Sequence, residues 1–101
     1  LTQAVAKEDW RQKRIPDVLK AFREVGEAAT RDGKLSKKYK EIIATVVSGM
    51  MRCEHCTENH LKKALAAGAS KDEIAEAVGV AMYLGGITQS VWTEVLAKYL
   101  E

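Results

Sequence analysis

Apolar residues return at helical spacing through most of this 101-residue chain. Val18, Leu19, Phe22 and Val25 follow Pro16, a residue suited to the first position of a helix. Asp32-Gly33 marks a turn, and Ser36 can cap a second helix running to about Met51, with Ile42, Ile43, Val46, Val47 and Met50 facing a core. A third helix starts near Cys53 and stops at Gly68, a residue that tolerates the left-handed backbone closing many helices. Ser70 and Glu73 have the spacing of a capping box for a fourth, which runs through Leu84. Ile74, Ala75, Ala77, Val78, Val80, Ala81 and Met82 make that segment apolar almost all round, so the pattern predicts a central, tightly packed helix. Gly85-Gly86 breaks it, and Thr88 can cap a last helix through Leu100. Residues 1–15 are polar and irregular and read as an N-terminal arm or a short helix around Trp10. Thr45-Val46-Val47 is β-branched but lies inside a helical period. The expectation is an all-α bundle of about five to six helices, without strands.

Length confines residues 1–101 to a single domain with a modest core. At 47% hydrophobic residues, a core of that size leaves apolar surface for self-association. The net charge of +2 is spread along the chain; Lys37, Lys38 and Lys40 form the densest basic cluster, and Glu41 follows at once. Neither a nucleic-acid nor a membrane partner is therefore expected. Leu1 to Trp10 lacks the apolar core of a signal peptide and no stretch approaches a membrane span, which points to the cytoplasm. Two cysteines are too few for a secreted disulfide scaffold, so Cys53-Glu54-His55-Cys56 reads as redox or metal chemistry. No Gly-rich nucleotide fingerprint is present.

Both cysteines and both histidines lie between positions 53 and 60. On a helix, Cys53, Cys56 and His60 share one face. One turn separates Cα atoms by roughly 5 Å, a span that a disulfide bridges. Helix N-termini and neighbouring imidazolium groups lower a thiol pKa from about 8.5 into a range of roughly 3.5–7.5. Glu41 lies on the preceding helix. If the two helices pack antiparallel, it falls roughly 15 Å back along the axis, while His60 stands about 10 Å along its own, so the carboxylate is nearer His60 than Cys53. A carboxylate–imidazole–thiol order follows, in which Glu41 orients His60 and His60 moves the proton of Cys56.

The pattern Glu41, Cys53-x-His55-Cys56, His60, followed by Leu-x-x-Ala-Leu-x-x-Gly-Ala-Ser and an alanine-rich helix ending in Gly-Gly, resembles the alkylhydroperoxidase D-like branch of the carboxymuconolactone decarboxylase superfamily. The match covers roughly residues 36–90. It implies an all-helical fold assembled as a homo-oligomer, a trimer or hexamer. It also implies reduction of a hydroperoxide by a dithiol, with the disulfide re-reduced by a dithiol or a lipoylated protein, and no metal, flavin or haem cofactor. By the same resemblance Cys56 attacks the peroxide, Cys53 resolves it, and Glu41, His55 and His60 relay protons. Where many relatives place proline after Gly-Gly, this chain has Ile87-Thr88. Larger members carry two such helical units, so a complete pocket here requires subunit contacts.

Other readings stand beside this one. The helix dipole favours Cys53 as the more acidic thiol, whereas the histidine four residues on favours Cys56. Glu41, Thr45, Ser48 and Arg52 form a polar stripe that a solvated helix face explains equally well. His55 lies off the shared face and suits a surface position. Glu54 and Glu58 read as acids favouring a helix N-terminus, and Trp10 and Trp92 as packing or subunit-contact residues. Cys53, Cys56, His60 and Glu41 could also ligate zinc, although no second knuckle is present. Lactone or decarboxylase chemistry and a non-enzymatic thiol redox sensor are the rival functions.

Overall fold

The computed structural model describes residues 9–92 and 94–101, with the side chains of Val91 and Trp92 outside the description. The part of the N-terminal arm before Asp9 and the role expected of Trp92 therefore lie outside the described residues. The chain divides into two compact units, with the boundary after Arg31.

The first unit holds α1 (Trp10–Arg14) and α2 (Pro16–Thr30). The Asp9 carboxylate accepts the Arg11 amide at 2.9 Å and so caps α1. Pro16 opens α2 with its ring in place of a donor that has no intrahelical acceptor, and Asp17 lies in the first turn, where the dipole favours a negative charge. Val18, Phe22 and Val25 occur at the predicted spacing and are exposed, Phe22 by 70%. The periodicity located the helix correctly without implying burial.

In the second unit, α3 (Lys37–Met50) is capped by Ser36, and the Lys37 amide also donates to Asp32 at 2.7 Å. At its end the Arg52 amide bonds the Gly49 carbonyl and the Cys53 amide bonds the Ser48 carbonyl, both at 3.0 Å. This is the paired closure that usually places glycine in the left-handed region; here Arg52 takes that position, with φ 61°. The chain thereby reverses over residues 51–53 and enters α4 (Glu54–Ala66). Gly68, at φ 101°, closes α4 as expected. The capping box of α5 (Lys71–Gly85) is formed in both directions, Glu73 amide to Ser70 hydroxyl at 3.0 Å and Ser70 amide to Glu73 carboxylate at 2.9 Å. Gly86, at φ 92°, ends α5.

Ile42 from α3, Leu61 and Ala64 from α4, Ala69 from the link before α5, Ile74 and Val78 from α5, and Leu96 form the core. All described regular structure is helical. Three local expectations need correction. The segment after Gly86 is not one helix to Leu100. It breaks into α6 (Gln89–Trp92), a 3₁₀ turn (Glu94–Leu96) and α7 (Ala97–Leu100). Ser90-Val91-Trp92-Thr93 is a run of weak helix formers, and the tighter turn accompanies complete burial of Leu96. Nor is α5 central: Ile74, Val78 and Ala81 are buried, but Val80, Tyr83 and Leu84 are exposed, Tyr83 by 86%. Ile43, Val47 and Met50 of α3 are likewise exposed.

The C-terminal segment is tied to α4 by polar contacts. The Tyr99 hydroxyl donates to Glu58 Oε2 at 2.5 Å, and Lys98 Nζ lies 2.9 Å from the same oxygen. Glu58 is thus more than an acid near a helix start. The Tyr99 hydroxyl, and after it Lys98, hold its carboxyl down to about 2 from an ordinary 4.5. Because the folded value is depressed, the tie contributes fully above pH 4.5 and is lost as the pH falls toward 2. Amide exchange of residues 97–101, corrected for intrinsic rates, is expected to accelerate across that window. In Glu58→Gln the acceleration is expected already at neutral pH.

Candidate functional site

The three-residue reversal between α3 and α4 builds the site. It lays the two helices against each other and brings Glu41 to His60 across 19 residues of sequence. Glu41 Oε1 lies 2.7 Å from His60 Nδ1. The carboxylate side chain is 1% exposed and the imidazole 26%. A carboxylate is an acceptor, so Nδ1 carries the hydrogen of this contact and Nε2 is left as the nitrogen able to take a proton. Thr45, also buried, donates its hydroxyl to the Glu41 carbonyl at 2.7 Å. The polar stripe that includes Glu41 and Thr45 is therefore no solvated face at these two positions. It turns inward because α4 covers it.

Cys53 and Cys56 are joined as a disulfide, with Cα atoms 5.2 Å apart. Cys53 stands just outside α4 in extended conformation and acts as its N-cap; its sulfur accepts the Cys56 amide at 3.2 Å. Thr57 fixes Cys53 from the other side. Its amide and its hydroxyl both donate to the Cys53 carbonyl, at 2.9 and 2.8 Å. Both cysteines are half-buried. A disulfide at a helix start combines partial access with the positive end of the dipole, a setting that in general favours the thiolate of a reduced cysteine.

Four of the five residues singled out by sequence thus fall into two contacting pairs, Glu41 with His60 and Cys53 with Cys56. His60 follows Cys56 by one turn on α4, and no hydrogen bond among the described residues joins its ring to either sulfur in this disulfide form. His55 is exposed at the second position of α4 and is not brought into either pair. Among the described residues no three His, Cys, Asp or Glu side chains gather as a metal site.

Sequence reasoning missed Lys37, whose Nζ lies 3.4 Å from Glu41 Oε2. Its signal was legible, a cation one turn before the carboxylate. It missed Thr57 as well, since nothing local distinguishes a threonine that secures a cap from one that packs.

A helical domain carrying a Cys-x-x-Cys disulfide at a helix start, on the same helix as an imidazole paired with a buried carboxylate, is the class that fold and site define. The chain belongs to the carboxymuconolactone decarboxylase family, whose model matches residues 16–97. An uncharacterized protein of Cupriavidus necator is 29% identical over 86 residues, 85% of this chain and 76% of the relative. An uncharacterized protein of the cox locus of Paracoccus denitrificans is 38% identical over 61 residues, 60% of this chain and 55% of its own length. Among solved structures, an apo carboxymuconolactone decarboxylase family protein from Legionella pneumophila aligns with TM-score 0.83 and 26% identity, covering 99% of this chain and 93% of that one. A family member from Thermotoga maritima, for which involvement in an antioxidative response has been suggested, aligns with TM-score 0.83 and 30% identity over 98% and 85% of the two chains.

Proposed function

We propose that the chain is a thiol-dependent hydroperoxide reductase that cycles through the Cys53–Cys56 couple. The observation carrying this reading is the closed disulfide at the start of α4, on the same helix as an imidazole held by a buried carboxylate. The suggested antioxidative role of the Thermotoga relative supports it. In the reduced protein His60 takes the proton of Cys56, and Glu41 holds the resulting imidazolium. The Cys56 sulfur attacks the terminal peroxide oxygen, the O–O bond breaks, and the alcohol leaves with the proton returned by His60. Cys56 is now a sulfenic acid. Cys53 condenses with it, an S–S bond forms, and water departs. The sum is one hydroperoxide and one dithiol converted to one alcohol, one water and one disulfide. An external dithiol, such as a lipoylated protein, then attacks the disulfide and restores both thiols. His55, on the exposed first turn of α4, relays protons to solvent in the same reading.

A homo-oligomer, trimer or hexamer, completes the pocket. Apolar side chains left exposed on α3 and α5, among them Ile43, Val47, Val80, Leu84 and Ile87 after α5, support that assembly. The proposed compartment is the cytoplasm. Among the described residues no helix is long and apolar enough to cross a membrane.

The test is the mass of the peptide spanning Cys53 and Cys56, isolated from fully reduced protein before and after one equivalent of an organic hydroperoxide. Loss of two hydrogens with release of one equivalent of alcohol is expected. An unchanged thiol peptide beside intact hydroperoxide defeats the proposal.

A further inference from the structure

The buried Glu41 carboxylate has two oxygens and two different partners. Oε1 meets His60 Nδ1 at 2.7 Å, and Oε2 lies 3.4 Å from Lys37 Nζ. Lys37 is the first residue of α3, one turn before Glu41, and its side chain is 45% exposed. The lysine therefore reaches inward from solvent and keeps part of its hydration while it lies against a carboxylate that has almost none. A carboxylate withdrawn from water is costly unless it is paired, and its rotamer is free to swing unless both ends are held. Lys37 meets both needs, and it touches neither sulfur in any contact among the described residues.

We propose that Lys37 is a positioning residue of the Glu41–His60 pair: it anchors Oε2 and sets how strongly Glu41 draws a proton onto the imidazole. This rests on the reading of that pair as the proton relay. The physical cause is direct. Positive charge at Oε2 offsets part of the negative potential that Glu41 projects onto His60. Removing that charge makes the imidazole hold its proton more firmly, so the base that must accept the thiol proton is available only at higher pH.

Several other charged groups on neighbouring elements are engaged elsewhere. On α3 itself, Lys38 pairs with Glu73 of α5 at 3.1 Å. Lys40 approaches the Gly33 turn. From α7, Lys98 and Tyr99 both meet Glu58, and α6 (Gln89–Trp92) carries no charged residue.

The chain has two histidines, so NMR titration of the ring signals in the disulfide form reads the proposal with an internal control. In Lys37→Met the His60 transition is expected to move to higher pH by about half a unit, the effect of a unit charge one carboxylate away whose own end is partly screened by solvent. His55, exposed on the first turn of α4, is expected to stay in place. Lys37→Arg is expected to restore the native curve. Lys37→Gln is a second neutral variant should the methionine disturb folding. The acid limb of peroxide consumption is expected to shift in the same direction. A folded Lys37→Met or Lys37→Gln with an unmoved His60 transition overturns the proposal, as does an equal displacement of both histidines. Movement of His60 alone in a chain that consumes no peroxide upholds the role of Lys37 toward the pair and refutes the peroxidase reading instead.

Discussion

Replacing Cys56 by serine is expected to abolish peroxide consumption, lowering kcat/KM by roughly four orders of magnitude or more, to the uncatalysed background. A serine hydroxyl keeps the size and the backbone of the first turn of α4 but offers neither a thiolate nor a sulfur that can pass through a sulfenic acid. The fold should be little affected, because Cys56 is only half-buried and the N-cap of α4 is Cys53. Cys53→Ser is expected to behave differently. It retains the attacking thiol and loses the resolving one, so it consumes about one equivalent of hydroperoxide per chain and then stops as a sulfenic acid. The pair of variants also decides the order of attack. The Cys53 sulfur accepts the Cys56 amide in the N-cap position, a contact that would stabilise a thiolate there. An inactive Cys53→Ser beside a Cys56→Ser that gives a single turnover therefore assigns the attack to Cys53. Full steady-state activity in Cys56→Ser with a dithiol reductant removes the dithiol mechanism altogether. Stopped-flow assay of hydroperoxide at limiting protein, with circular dichroism of each variant, supplies both readings.

Glu41→Gln is expected to lower kcat/KM by about 10²-fold while the unfolding midpoint in urea changes little. The amide fills the same space, and its oxygen can still accept the Nδ1 hydrogen of His60. What disappears is the negative charge that stabilises an imidazolium when His60 takes the thiol proton. His60 and Lys37 are both partly exposed, so each recovers hydration when the charge is removed, which limits the cost to stability. Glu41→Ala differs because it empties a buried site and releases the ring. It is expected to lose both activity and about 2 kcal/mol of stability. If Glu41→Gln consumes hydroperoxide at the native rate, the carboxylate is a structural partner of His60 and plays no part in proton transfer.

The two pairs differ in how they could be seen from sequence. Cys53 and Cys56 are three positions apart, and any local geometry near a helix keeps their Cα atoms within reach of each other, so the couple was legible without a fold. Glu41 and His60 are 19 positions apart. Their contact depends on the reversal at residues 51–53, where Arg52 adopts a conformation that no sequence pattern announces for an arginine. Only the assumption of antiparallel helices suggested it. The Glu58–Tyr99 contact spans 41 positions and carried no local sign at all.

Periodicity and capping are short-range matters, and here they were read well. Ser36, Ser70 with Glu73, Gly68 and Gly86 each stand at the helix end assigned to them, because a cap is satisfied by atoms within a few residues. Burial is different. The same apolar spacing describes Ile42, which enters the core, and Ile43, Val47, Phe22 and Val80, which do not. The chain by itself determined that the protein is helical, where most helices begin and end, and that two sulfurs form one couple at a helix start. Tertiary structure alone decided that Glu41 is buried against His60, that Glu58 meets Tyr99, and which apolar faces remain open. Local bonds are chosen among neighbours in sequence, whereas burial and long-range ion pairs depend on which helix arrives from elsewhere to exclude the water.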